Sequence, residues 1–327
     1  MVCAYVCATL QNLTSMALAS LLIGIFTFVQ LNCENLFDYM HDEGKDDTEF
    51  LPDGSYHWNK TRYWRKLNRT GQTIVACSDT STMLLPDMAL LCEVENDTVM
   101  RDLTRRSLLR TARYDYVMTH SSDQRGIDVA LIYSPMSFRL IESHSVSVPP
   151  VKGMRPTRDI LYVKGITASD DTLHVIGAHF PSRRGGERQS RPFRRHAAAR
   201  LCAVVDSVLA VSRSARVIVA GDFNMYSDDG IMADICSHGL TDVSATARGR
   251  RGAKGTYRYQ GQWGSLDHIL VSASVLSAVS SCHVQDDAFL TEDDTKYGGI
   301  KPRRNYLGPV YRNGFSDHLP LVCRLAF

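Results

Sequence analysis

The stretch Arg216–Asn224, RVIVAGDFN, decides how this chain is read. A continuous apolar run ending in glycine predicts a strand over Arg216–Gly221. Asp222 and Asn224 follow it, and the two-residue period of an extended chain puts both on one side. Upstream, His174–His179 (HVIGAH) predicts a second strand. Between the two lies Arg183–Arg200, with seven arginines and one glutamate. This segment reads as a loop running into a helix that continues through Leu201, Val204, Val205, Val208 and Leu209. Residues 174–221 thus form a strand–helix–strand unit, the signature of an α/β chain.

Further out, the same grammar recurs. Strands are predicted at Phe26–Asn32, Met88–Glu93, Val129–Tyr133, Ile160–Lys164, Leu266–Val271 and Leu319–Leu325. Trp64, Leu67, Gly71, Ile74 and Val75 recur at helical spacing, which predicts an amphipathic helix over Lys60–Cys77. More polar inserts fall at 38–59, 183–196, 245–263 and 284–315. No internal repeat, low-complexity run or Pro/Ser-rich linker divides the chain.

Composition sets the outer limits. The 327 residues are 44% hydrophobic and 22% charged, which excludes wholesale disorder and fibrous classes. Residues 26–327 read as one α/β domain. Thirty-seven basic residues against 35 acidic ones give a net charge of +2. So small a balance argues neither for nor against a polyanionic partner, because local patches decide that. Nine cysteines without a CxxC pair make a poor zinc pattern and read as free, mostly buried thiols. Residues 1–25 form an apolar leader. Met16–Val29 is too short to span a bilayer and lacks a basic flank, so it reads either as a signal peptide or weak anchor, or as the approach to a buried strand. Cytoplasmic and exported locations both stay open.

Polar residues gather where the predicted strands end, at positions that rigid scaffolds commonly use for function. Asn32 and Glu34 close the first strand. Glu93 ends the apolar run MALLC, where a carboxylate is costly unless paired or bound to a cation. His179 ends HVIGAH. Asp267 lies at the entry of its strand, and Asp317-His318 precede the last one. An adjacent Asp and His could supply a metal ligand and a general base, with Asp267 orienting the imidazole.

Taken in order, LNCENLFD, PDMALLCEVE, RGIDVALIY, AHFPSRRGG, VAGDFN, YRYQGQWGSLDHILVS and GFSDHLPL resemble the successive motifs of the endonuclease/exonuclease/phosphatase superfamily. The likeness spans Asn32 to His318 and is nearest to a bacterial branch with no assigned substrate. It implies a four-layered α/β sandwich, two mixed β-sheets packed face to face and flanked by helices. It also implies a Mg²⁺-dependent hydrolase of phosphate esters, with Mn²⁺ as a substitute and one or two ions in play. Glu93 would be the principal metal ligand, with Asn32 and Asp317 contributing and Glu34 close by. Asp222 would orient or deprotonate the attacking water, and Asn224 would bind the scissile phosphate. His318 would be the general base or a stabilising imidazolium, held by Asp267. His179 would donate to a phosphate oxygen or the leaving group.

Substrate rests on the arginines. Arg155, Arg158, Arg183 and Arg184 flank these motifs and are candidates for phosphate contact. A nuclease of low sequence specificity is the first reading. A phosphatase or phosphodiesterase acting on a small phosphorylated molecule or lipid headgroup is the second, and a catalytically dead binding scaffold the third. No protein partner is implied.

Overall fold

The computed structural model describes residues 24–79 and 82–327; residues 1–23 of the apolar leader lie outside them. In chain order the first strands are β1 (Ile25–Leu36), β2 (Met88–Val94), β3 (Asp115–Met118), β4 (Asp128–Tyr133), β5 (Phe138–Val146) and β6 (Ile160–Thr167). Next come β7 (Thr172–His179), β8 (Arg216–Asp222), β9 (Leu240–Asp242), β10 (Tyr257–Tyr259), β11 (Gln262–Gly264) and β12 (Asp267–Ser272). The chain ends with β13 (Val279–Val284), β14 (Thr291–Asp293), β15 (Ile300–Pro302), β16 (Tyr306–Leu307), β17 (Val310–Tyr311) and β18 (Leu321–Ala326). The main helices are α1 (Lys60–Ala76), α2 (Asp97–Arg105), α3 (Glu187–Val211) and α4 (Gly230–Cys236). Among the described residues, no helix is long and apolar enough to cross a membrane.

Twelve strands build two sheets, ordered β13-β18-β1-β2-β4-β3 and β5-β6-β7-β8-β12-β9. Both are mixed: β1 runs parallel to β2 and β7 parallel to β8, while the other pairings are antiparallel. The apolar runs follow from burial on both faces of the central strands. In β1, Phe28 faces the core between the sheets, and Val29 faces the helices outside. In β8, Ile218 points inward, while Val217 and Val219 meet α3 and α4. Tyr63, Leu67 and Ile74 of α1 cover the first sheet; Leu201, Val205 and Val208 of α3 cover the second. The result is the expected helix–sheet–sheet–helix sandwich.

Several details differ from the sequence expectation. The buried stripe of α1 is rotated by about one residue: Tyr63, Lys66, Leu67, Thr70 and Ile74 are buried, and Val75 is exposed. Insert 183–196 is mostly the start of α3, and the inserts at 245–263 and 284–315 contain three small hairpins. Strand β5 escaped detection because its middle is solvent-exposed, so its apolar pattern is weak. The seven described cysteines are free, five of them buried.

Strand direction places the chemistry. The ends of β1, β2, β7 and β8 point to one edge. Strand β18 is antiparallel to β1, and β12 is antiparallel to β8, so their beginnings arrive at the same edge. Register then sets Asp222 beside both His179 and Asp267. Gly221 makes the approach feasible. It has φ +148°, and a Cβ there would lie 1.8 Å from the backbone oxygen of Ala178. Gly221→Ala is therefore expected to cost at least about 3 kcal/mol, through strain and backbone collision. Chemical denaturation should show the loss; an unchanged midpoint would contradict the reading.

Candidate active site

At this edge the centre of the cluster is Asp222, 2% exposed. Its Oδ2 accepts a hydrogen bond from Asn32 Nδ2 at 2.9 Å, crossing from one sheet to the other. Its Oδ1 accepts from the Asn224 amide at 2.9 Å. His179 Nε2 stands 3.7 Å and His318 Nε2 3.9 Å from Oδ2. Burial, then the negative charge of Asp267, pushes the Asp222 pKa up to about 7.

Asp267 and His318 form a tight pair. His318 Nδ1 lies 2.6 Å from Asp267 Oδ2, which also accepts from Thr256 Oγ. Burial opposes a charged imidazole. The carboxylates of Asp267, Asp222 and Asp317 outweigh it and hold the His318 pKa well above its ordinary value. His179 goes the other way. Burial, then Arg158 and Arg125, pulls its pKa well below the usual range, and its buried Nδ1 has no hydrogen-bond partner. One imidazole is thus charged and the other neutral, within 4 Å of the same carboxylate.

Glu93 sits on the neighbouring rim. Its Oε2 accepts from the Asn35 amide at 2.8 Å, and its Oε1 lies 4.0 Å from His179 Nε2. The preceding amide, Glu34 N–H, donates to Asn32 Oδ1 at 2.9 Å. Glu34, Asn35, Glu93 and Asn224 all occupy the left-handed region, with φ of 51, 57, 62 and 52°. For the two glutamates this costs on the order of 1 kcal/mol each, a concentration typical of functional sites.

Other expected residues are placed less simply. Both Glu34 oxygens accept backbone amides, from Asn305 at 2.6 Å and Tyr306 at 3.2 Å, and Arg304 Nε is 3.7 Å away. Burial, then Asp317, pushes the Glu34 pKa up to about 7. Asp317 Oδ2 accepts from Arg304 at 2.8 Å. Arg158 is buried, bonded to Asp123 at 3.2 Å and to the Phe180 carbonyl at 2.6 Å, so its charge is spent inside the fold. Arg183 donates to the Asn224 carbonyl at 3.1 Å and lies over the Tyr226 ring. Arg155 and Arg184 are exposed. Asn224 donates its Nδ2 to the Phe180 carbonyl at 3.1 Å.

Sequence reasoning missed several supports. Ser316 Oγ ties the loop before β18 to the Asn32 carbonyl at 2.7 Å and accepts from the His318 amide. Buried Lys66 donates to the Phe315 carbonyl at 2.5 Å. It falls on the apolar stripe of α1, and a lysine at that position was the available signal. Arg125 donates to Asn35 Oδ1, and the Tyr257 ring lies tilted, 4.9 Å from the His318 ring.

Two donor sets could hold a cation. One atom each from Asp222, Asp267 and His318 lie within 4.8 Å of one another; Asp267 Oδ2 receives His318 and Thr256, while its Oδ1 is buried without a hydrogen-bond partner. Glu93, Asn32 and Asp317 carry carboxylate and carboxamide oxygens, the donor chemistry of a hard divalent ion, and Asn32 Oδ1, Glu93 Oε2 and Asp317 Oδ2 already accept from Glu34 N–H, Asn35 N–H and Arg304. The residues present fit such an ion.

Comparison with known proteins agrees with the geometry. No curated protein sequence matches the chain. Solved structures share its fold at low identity. An endonuclease/exonuclease/phosphatase family protein from Bacteroides thetaiotaomicron is 17% identical, with TM-score 0.59, covering 93% of this chain and 98% of its own. The mannosyl-6-phosphatase Bt3783 of the same species is 18% identical, with TM-score 0.58, covering 92% and 100%. The human Nocturnin catalytic domain with bound sulfate is 17% identical, with TM-score 0.55, covering 93% of each chain. A family model described as Endonuclease/Exonuclease/phosphatase family matches residues 27–326, so the chain belongs to that family and is a metal-dependent hydrolase of phosphate esters.

Proposed function

We propose that residues 26–327 hydrolyse a phosphate ester by in-line attack of water, with Mg²⁺ held by Glu93, Asn32 and Asp317. The observation that carries this is the convergence on Asp222 of a neutral imidazole, a charged imidazole and the Asn32 amide. The ion, when bound, would neutralise charge on the non-bridging phosphate oxygens. Asp222, with a pKa near 7, is poised to take the proton of the attacking water at neutral pH. His318, kept protonated by Asp267, donates to a phosphoryl oxygen and stabilises the charge that builds there. Neutral His179 presents Nε2 to the same centre and serves as a second donor. Thr256 and Ser316 hold the dyad and its loop in place.

For the substrate, the arginines give the best guide. Arg183 and Arg194 bond Glu187, and Arg191 lies 2.6 Å from Asp229. Three of the seven arginines at 183–200 thus share two carboxylates, which lessens the charge left there for a long nucleic acid backbone. Bt3783 is named a mannosyl-6-phosphatase, in keeping with a compact phosphorylated substrate. The nuclease reading keeps its own support in Arg184, Arg188 and Arg195, which are exposed. Supercoiled plasmid, bis-p-nitrophenyl phosphate and p-nitrophenyl phosphate decide between them, with Asp222→Asn as the blank. Cleavage of small esters with intact plasmid is expected; nicking that the variant lacks would make the enzyme a nuclease.

Glu93→Gln should abolish Mg²⁺-dependent turnover and weaken Mg²⁺ binding measured by calorimetry, with the melting temperature retained. Full activity at low Mg²⁺ would remove Glu93 from the metal site.

The charge pattern also sets a pH profile. Turnover should rise as Asp222 deprotonates near pH 7 and fall at higher pH as His318 loses its proton. Asp267 raises both pKa values, so Asp267→Asn should move both limbs to lower pH. It should also lower turnover by about 10²–10⁴-fold. Limbs that stay in place would show that Asp267 does not govern either group.

A further inference from the structure

Four arginines gather beside two aromatic rings without an acid. Some guanidiniums of the molecule meet carboxylates, as in Arg158–Asp123, Arg191–Asp229, Arg216–Asp171 and Arg304–Asp317. Arg62, Arg65, Arg69 and Arg303 have no carboxylate oxygen within 4.0 Å among the described residues. Instead, Arg62 lies 4.5 Å over the Tyr311 ring, and Arg69 and Arg303 lie 4.7 and 5.8 Å from the Phe315 ring centre. Arg65 is exposed, and its charge acts on the Tyr311 hydroxyl. Stacking fixes the guanidinium planes without spending their charge on an acid.

Gathering like charges is unfavourable without an anion. Burial, then the charge of Arg303, pulls the Arg69 pKa below its ordinary value, and Arg65 adds to the pull. An open groove lined by Lys60, Trp64, Arg65, Arg69 and Asn313 runs along the exposed side of α1. Asn313 accepts from Arg69 Nε at 3.1 Å, and Phe315 follows it; Asp317 and His318 come next. The unneutralised charge therefore abuts the loop before β18.

We propose that Arg65, Arg69 and Arg303 form an accessory site for a phosphate group other than the one that is cleaved. Planar guanidinium forks match phosphate oxygens, and several uncompensated cations on one rim concentrate such an anion. That this phosphate belongs to the substrate rests on the hydrolase reading above; the site itself does not. The same chemistry comes from two sources, a small molecule with a second phosphate or the neighbouring phosphates of a nucleic acid.

Calorimetric titration of the full chain without added metal tests the site independently of turnover. The probes are sodium tripolyphosphate and single-stranded hexathymidylate at low ionic strength. The unaltered chain should bind at least one. Arg65→Gln/Arg69→Gln should weaken that binding about tenfold or more, the scale of a lost charge-assisted contact. Arg139→Gln, on the exposed face of β5, should leave it unchanged. If the double variant melts early, the single Arg65→Gln decides, because an exposed side chain is not needed for folding; a several-fold loss is expected. Binding of tripolyphosphate alone assigns the small-molecule source, and binding of hexathymidylate alone the nucleic acid. Binding of neither probe, or equal affinity in the Arg65 variants, overturns the site. Loss of binding in the variants, in a chain that shows no Mg²⁺-dependent hydrolysis, would keep the accessory site and sink the hydrolase mechanism.

Discussion

Burying the Asp222 carboxylate is the constraint on which the rest of the arrangement depends. A charge at 2% exposure is tolerated only if the surroundings supply donors or cations. One sheet contributes the position, at the end of β8. The other contributes Asn32, whose amide reaches across the sandwich at 2.9 Å. The sheets must therefore end at one edge and at one height, and strand direction alone achieves this. Moving either sheet by a residue would turn Asn32 or Asp222 to the opposite face. Fold and site are coupled through that requirement.

Around this carboxylate the two histidines divide by environment. His318 has Asp267 at 2.6 Å and is held charged; His179 has Arg158 and Arg125 as neighbours and is held neutral. The same residue type is thus held in two charge states: burial, reinforced by Arg158 and Arg125, prevails at His179, and the Asp267 carboxylate prevails at His318. The tuning groups lie on different elements, Asp267 at the start of β12 and Arg158 just before β6, so neither state can be read from the histidine's own sequence neighbourhood.

Much of this was legible in the chain. RVIVAG, HVIGAH and MALLC announce strands because both faces are buried, and polar residues directly after such runs mark the sheet edge. Edge strand β5 was not legible, since exposure erases its pattern. Ionic pairing was not legible either. Arg158 stands close to a motif in sequence, yet its charge is spent on Asp123, 35 residues away. Nothing in the sequence around Arg62, Arg65 and Arg69 singles these arginines out. Only the fold shows that Arg69 and Arg303 share one aromatic ring beside the loop before β18.

That distinction bears on how basic segments should be weighed. A count of arginines measures nothing until the acids are placed, because an ion pair inside the fold leaves little field for a ligand. The segment from Arg183 into α3 holds the densest arginine run in the chain, yet Glu187 and Asp229 between them pair with three of its seven guanidiniums. Helix α1 is less conspicuous in sequence. Its arginines nevertheless stack on aromatic rings, which orient the cation and do not cancel it. On the accessory-site reading, what matters beside Asp317 and His318 is less the number of arginines than how the aromatic rings of Tyr311 and Phe315 hold them.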